Sequence, residues 1–299
     1  MEYVIVKKIS KKIINYIGEK VFVFLFRNAY KMSYEKMVNK SAFLTSLYCK
    51  IDKKRVAIAE NNIRLAFKDQ MSEDEIKKLA RESMKNFLFE AFMFFSLAKT
   101  DQEKIKNMVT FHNTELIKKA LEREKGCIFL TAHYGNWEIM ARRVCMEGFP
   151  VNVIARDSDN LGMTEITQDI RESGGYKVFS KNQPLTGIIR ALRNNECLGI
   201  LPDQHDYSGI RADFFGRPAK TSVGCANLSL KTGAAIIPMY CHRVDFGKYE
   251  IEVYPEIQFE QSGDKQKDIK DLTQLVNNAT EVAIRKHPEH WLWIHNRWK

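Results

Sequence analysis

Cys127-Ile128-Phe129-Leu130-Thr131-Ala132-His133-Tyr134-Gly135-Asn136-Trp137-Glu138 runs from a short apolar segment into a histidine, a Gly-Asn turn and the opening of a helix. A short apolar run bounded by turn residues suits a buried strand. Runs of the same texture follow at 151–155, 176–179, 198–201 and 234–240. Helical stretches separate them near 139–146, 163–172, 185–193 and 226–231. Strands alternating with helices predict an α/β fold whose mostly parallel central sheet is flanked by helices. Residues 249–254 alternate like a strand with one wet face, and 265–286 read as a terminal helix. Upstream of about Thr110 the chain reads as mostly helical, with Ser72 and Glu75 placed as a capping pair. The apolar stretch around Phe87–Phe95, broken by Glu90, is either a core helix or a lipid-facing surface.

Active sites of open α/β sheets gather at the carboxyl ends of the strands, where His133 stands. Five positions across the turn, a carboxylate can return to the imidazole. Glu138 is therefore expected to accept a hydrogen bond from one ring nitrogen, leaving the other free to take a proton from a hydroxyl. An ordinary imidazole titrates near neutrality and is a competent base there. No activated Ser or Cys lies in the motif, so direct attack of an acceptor hydroxyl on an acyl thioester is the natural reaction. A lone histidine at a strand end is more often satisfied by backbone; this surrounding loop favours chemistry.

A second block, Leu201-Pro202-Asp203-Gln204-His205-Asp206, also follows an apolar strand and should reach the same sheet edge. Asp203, His205 and Asp206 are metal ligands by type, but one His flanked by acids is a common accident, and no metal is expected. Arg156 follows the 151–155 strand and Arg171 lies in the next helical stretch. Either has the paired donors that suit a phosphate, and either can be a solvated surface arginine.

The formal net charge of +10 suits nucleic acid, anionic lipid headgroups or an acidic carrier protein. No zinc-ligand spacing, long Lys/Arg run or aromatic-interleaved RNA signature is present, so nucleic acid is not an expected partner. Cys49, Cys127, Cys145, Cys197, Cys225 and Cys241 form no C-x-x-C pair and read as reduced thiols. Near the N-terminus, Lys7, Lys8, Lys11 and Lys12 precede two apolar segments, 13–17 and 21–26, interrupted by Glu19 and Lys20 and closed by Arg27. A spanning helix needs roughly twenty mainly apolar residues. An amphipathic, membrane-associating helical segment over 1–50 is the expectation, with packing on the domain as its rival. Residues 51–299 then form the α/β domain.

These residues resemble a known family, the bacterial lipid A biosynthesis acyltransferases, a branch of the lysophospholipid acyltransferase superfamily. His133-Tyr134-Gly135-Asn136-Trp137-Glu138 is similar to the superfamily's His-x4-acid motif in this branch's form. Arg156, Asp203-Gln204, Phe214-Phe215-Gly216 and the closing 288–298 segment match as well, so the resemblance runs from about Arg55 to Lys299. It implies an acyl-carrier-protein thioester as donor and a lipid A precursor, a membrane lipid, as acceptor. It also implies work at the cytoplasmic face of an inner membrane without a cofactor. By position in the motif His133 is the base and Glu138 its partner, while Arg171, Asp203, Arg156 and Asn136 are the expected substrate-binding residues. Related branches use the same pair on other glycolipids or on phospholipid precursors, so the acceptor stays open. Thioester hydrolysis and a purely membrane-binding protein are the remaining alternatives.

Overall fold

Three long helices fill the first third of the chain: α1 (Tyr34–Ile51), α2 (Lys53–Phe67) and α3 (Glu73–Ser96), with a short α4 (Gln102–Met108) after them. The computed structural model describes residues 29–155 and 161–299. The apolar N-terminal segments expected at the membrane, within 1–28, and Arg156 lie outside the described residues. Ser72 starts α3 as expected: its hydroxyl accepts from the Glu75 amide while the Glu75 carboxylate accepts from the Ser72 amide. The α3 stretch around Phe92 is core. Phe89, Phe92, Met93, Phe94 and Phe95 are all buried in one cluster with strands of the sheet. No helix among the described residues is long and apolar enough to cross a membrane.

The chain then alternates through β1 (Val109–His112), α5 (Glu115–Leu121), β2 (Cys127–Leu130), α6 (Trp137–Met146) and β3 (Val151–Ala155). It continues through α7 (Leu161–Glu172), β4 (Lys177–Ser180), α8 (Thr186–Arg193) and β5 (Cys197–Ile200). A two-stranded antiparallel hairpin, β6 (Ile210–Phe214) with β7 (Arg217–Thr221), precedes α9 (Gly224–Thr232). Strands β8 (Ala235–Asp245) and β9 (Lys248–Val253) and helix α10 (Lys265–Lys286) follow.

Seven strands form the central sheet in the order β1-β9-β8-β2-β5-β3-β4. The five from β8 to β4 run parallel; β9 returns antiparallel from β8, and β1 adds parallel to β9. The sheet is therefore mostly parallel with a reversed edge, because a tight turn at Gly247, with φ +65°, folds β9 straight back onto β8. On one face Cys127, Phe129, Ile237 and Met239 pack with α3 and α6. On the other, Ile128, Leu130, Leu198 and Ile236 pack with α8, α9 and α10. The β2–β5 register sets Phe129 beside Gly199. It thereby brings the two segments leaving the strands, Thr131–His133 and Leu201–Asp203, out of the sheet side by side.

Candidate active site

His133 sits in a loop that the C-terminal segment holds in place. The His133 carbonyl accepts from the Leu292 amide at 3.1 Å, the Gly135 amide donates to the His290 carbonyl at 2.9 Å, and Tyr134 bridges antiparallel to Trp291. Gly135 is required here: its φ is +52°, and a Cβ would lie 1.9 Å from the Cys241 carbonyl oxygen. The Asn136 amide also donates to that carbonyl, at 3.2 Å. Gly135 and Asn136 amides are thus committed inside the fold and are not free to steady a substrate oxyanion.

The carboxylate on the His133 ring is Asp203. Its Oδ1 lies 2.9 Å from His133 Nδ1, and its Oδ2 accepts from the His133 amide at 3.0 Å and from Trp291 Nε1 at 2.8 Å. Burial alone raises the pKa of Asp203, but the imidazole and the two N–H donors outweigh it and hold the carboxyl below its usual range. An ionised carboxylate only accepts, so Nδ1 carries a proton, and in the neutral ring the lone pair is the one on Nε2. His133 lines the cleft described below.

Glu138 was expected in that position and lies elsewhere. It is buried in the first turn of α6, where its carboxylate accepts from Arg171 Nη2 at 2.6 Å, Arg171 Nε at 3.1 Å and Tyr176 Oη at 2.7 Å. The physical reason is the competition for the carboxylate: a guanidinium fork from the last turn of α7 and a phenol from the loop before β4 outmatch a single imidazole. Trp137 links the two halves, its indole donating to Glu138 Oε1 at 3.2 Å while its ring packs edge-on to the imidazole, centroids 5.4 Å apart. Arg171 is in turn positioned by Arg142, whose buried guanidinium donates to the Ile170 carbonyl and to Ser173 Oγ. Burial lowers Arg171 toward neutrality, but Glu138 overrides it and keeps the guanidinium firmly charged.

Asn136 serves the loop. Its Oδ1 caps α6 by accepting from the Ile139 amide at 2.8 Å, and its Nδ2 donates to Glu90 at 2.7 Å, so both ends of the side chain are engaged within the protein. Asp206 turns back on Ser208, and the His205 ring stacks edge-on to Tyr207, away from Asp203's bonds. Trp291 and Tyr176 are the site residues that reading the sequence did not single out for a role. Trp291 stood inside a quoted motif, but Tyr176 carried no signal beyond its place at a strand start.

A cleft of about 1110 Å³ opens over this edge of the sheet. Its lining includes the charged or titratable His133, Glu138, Arg171, Lys181, Lys231 and Lys299 and the apolar Phe129, Met140, Ala141, Val144, Val151, Val153 and Met239. A cleft lined by both basic groups and a run of apolar side chains suits a molecule with a polar or anionic head and a hydrocarbon tail.

Fold and site together define a class: an α/β protein with a His–carboxylate pair at the carboxyl ends of parallel strands, beside a large cleft lined in part by apolar side chains of the sheet and α6. The chain belongs to the bacterial lipid A biosynthesis acyltransferase family, whose model matches residues 6–299. A phosphatidylinositol mannoside acyltransferase of Mycobacterium tuberculosis is 27% identical over 184 residues, which are 60% of this chain. The matched region is 56% of that mycobacterial protein's length. A lipid A biosynthesis lauroyltransferase of Escherichia coli is 26% identical over 267 residues, covering 86% of this chain and 83% of that one. A lipid A biosynthesis palmitoleoyltransferase of the same organism is 25% identical over 256 residues, 83% and 79% of the two chains.

Proposed function

We propose that this protein transfers a fatty acyl group from an acyl-carrier-protein thioester to a hydroxyl of a lipid A precursor. The observation that carries the reading is the His133–Asp203 pair, bonded through Nδ1, with His133 in the lining of a cleft that is otherwise largely apolar on its sheet and α6 walls. In this reaction His133 Nε2 takes the proton of the acceptor hydroxyl while its oxygen attacks the thioester carbonyl. The tetrahedral intermediate collapses with cleavage of the carbon–sulfur bond, and the departing thiolate recovers the proton from His133. Asp203 holds the tautomer and steadies the imidazolium. The Glu138–Arg171–Tyr176 cluster fixes one wall, and Lys181, Lys231 and Lys299 give the cleft a positive balance suited to phosphate groups.

Work at a cytoplasmic membrane surface fits the outer face of α1. Phe43, Leu47 and Ile51 recur there at helical spacing and are 69%, 45% and 74% exposed. Lys36, Lys40, Lys50, Lys53 and Lys54 flank them, all exposed, so the face is apolar in its middle and basic around it. That is the make-up of a surface resting on anionic headgroups. A second reading keeps the chemistry and changes the acceptor to a mannosylated phosphatidylinositol or another glycolipid, since the mycobacterial relatives are named for such an acceptor.

The test is transfer of labelled acyl groups from acyl-carrier-protein thioester to a panel of lipid acceptors in vesicles. Labelled lipid A product is expected, with His133→Ala lowering the rate at least about a thousandfold while the protein stays folded. Product on another glycolipid alone moves the acceptor assignment to the second reading. Equal rates in wild type and His133→Ala refute the mechanism.

A further inference from the structure

Gly199 lies in the middle of β5, buried, with neighbours whose side chains form the apolar depth of the cleft. It pairs with Phe129 on β2 and with Val153 on β3, and all three line the cleft. The register gives its depth. Phe129 is four residues before His133 and Gly199 is four residues before Asp203, so Gly199 sits on the order of 10 Å below the catalytic pair at strand spacing. On α6 the cleft is lined by the apolar Met140, Ala141 and Val144, up to two turns beyond Glu138 in the first turn.

Nothing in the backbone demands glycine here. Gly199 has no positive φ, and a Cβ on it would meet only Val153 Cγ1 at 3.4 Å and Asn152 O at 3.7 Å, ordinary contact distances. A glycine inside a strand gives up packing and costs conformational entropy, and it often marks where a ligand comes close. The space that a side chain would fill is cleft volume.

We propose that Gly199 sets the length of acyl chain the protein accepts, its missing side chain opening room for the terminal part of a saturated chain between α6 and the sheet. The proposal rests on the acyl-transfer reading above and assigns the floor of that site. A side chain added at Gly199 shortens the accepted chain, and a side chain trimmed at Val144, on the facing helix, lengthens it. Because Gly199 is far below the imidazole, the change falls on chain length and not on the thioester end.

The experiment measures kcat/KM of the full-length protein, in vesicles, with acyl-carrier-protein thioesters from decanoyl to hexadecanoyl. Wild type is compared with Gly199→Ala, Gly199→Val and Val144→Ala. One methylene refused by an apolar pocket is worth roughly tenfold or more in discrimination. Gly199→Val is therefore expected to lower the ratio of the wild-type optimum to the next shorter chains at least tenfold. Gly199→Ala moves it less in the same direction, and Val144→Ala moves it toward longer chains. An unchanged ratio in Gly199→Val, or a loss of the same factor at every length, overturns the proposal. Should Gly199→Val not fold, the Gly199→Ala and Val144→Ala ratios decide, and both must move in opposite directions for the proposal to stand. Wild-type protein that transfers no chain of any length refutes the acyl-transfer reading itself, which is a different result from an unmoved chain-length profile.

Discussion

Asp203→Asn isolates the orientation of the imidazole from nearly everything else at the site. In the native protein Oδ2 accepts two N–H groups, from the His133 amide and Trp291, while Oδ1 faces His133 Nδ1. An asparagine keeps the first two bonds by placing its single oxygen where Oδ2 was. Its NH2 then faces Nδ1, and two N–H groups cannot be bonded to each other. The ring answers by moving its proton to Nε2, so that Nδ1 accepts and the nitrogen facing the cleft is no longer a base. The same exchange in a Ser-His-Asp triad lowers kcat about ten-thousandfold. About the same loss, on the order of 5 kcal/mol in barrier height, is expected here.

The cost to the fold is smaller. All three bonds the carboxylate accepts become neutral ones while the burial cost of its charge is removed, a net loss of about 1–3 kcal/mol. The variant should therefore remain folded, with a denaturant midpoint a little below wild type. Wild-type Asp203 has a depressed pKa, so the stability it contributes is present above the ordinary carboxylate range and is lost only as pH falls through its lower folded value. The assay pairs acyl transfer with nitrogen NMR of a ring-labelled His133, which reports the tautomer directly. Transfer within tenfold of wild type in a folded Asp203→Asn protein would refute the assignment of Nε2 as base, whichever tautomer the spectrum shows.

Glu138→Ala should lower stability by about 2–4 kcal/mol in denaturant unfolding, because it strands a largely buried guanidinium, and transfer by about a hundredfold. Adding Arg171→Ala should cost less than the two single effects summed, and strict additivity would show that the pair is not coupled. Burial pushes the Glu90 carboxyl up to about 7 against the pull of Arg243, Tyr249 and Asn136. The folded state therefore holds a proton that the unfolded chain releases near the ordinary carboxyl value of 4.5, and stability falls by up to about 3 kcal/mol as pH rises between those values. Glu90→Gln should flatten that slope, measured as unfolding free energy at pH 5 and pH 8; an unchanged slope assigns it to another group. Phe43→Asp with Leu47→Asp should weaken sedimentation with anionic vesicles at least tenfold and leave the unfolding midpoint nearly unchanged, since both side chains are exposed. Equal binding would move the membrane contact off α1.

The sheet was legible where the information is local. The strands at 127–130, 151–155 and 177–180, the α3 capping box and the terminal helix 265–286 stand where apolar periodicity and caps put them. The hairpin β6–β7 and the short β1 were not read, because Arg211, Asp213, Arg217 and Lys220 break the apolar signal and β1 gains its identity only by adding to β9. His133 was legible from its own loop. Its true partner was not, because Asp203 reaches it through the register of two strands seventy residues apart in sequence. Nearness in sequence made Glu138 the obvious choice for the ring. Arg171 and Tyr176, 33 and 38 residues on, claim it instead.

That exchange of partners has a consequence for charge. A dry cleft penalises any uncompensated ion, and two carboxylates on one imidazole would leave a buried anion beside the base and a guanidinium unpaired. With Glu138 satisfied by Arg171 and Tyr176, the remaining pair carries the one negative charge of Asp203 whenever the imidazole is in its neutral, base-competent form. Taking the proton of a hydroxyl turns it into an imidazolium–carboxylate pair with no net charge, so the step that generates the nucleophile also removes the only unbalanced charge among these four side chains. A site wired as His133–Glu138 would forgo that advantage. In the proposed reaction Asp203 makes proton uptake favourable while Glu138 holds Arg171 in place beside the cleft, two roles that one carboxylate could not fill together.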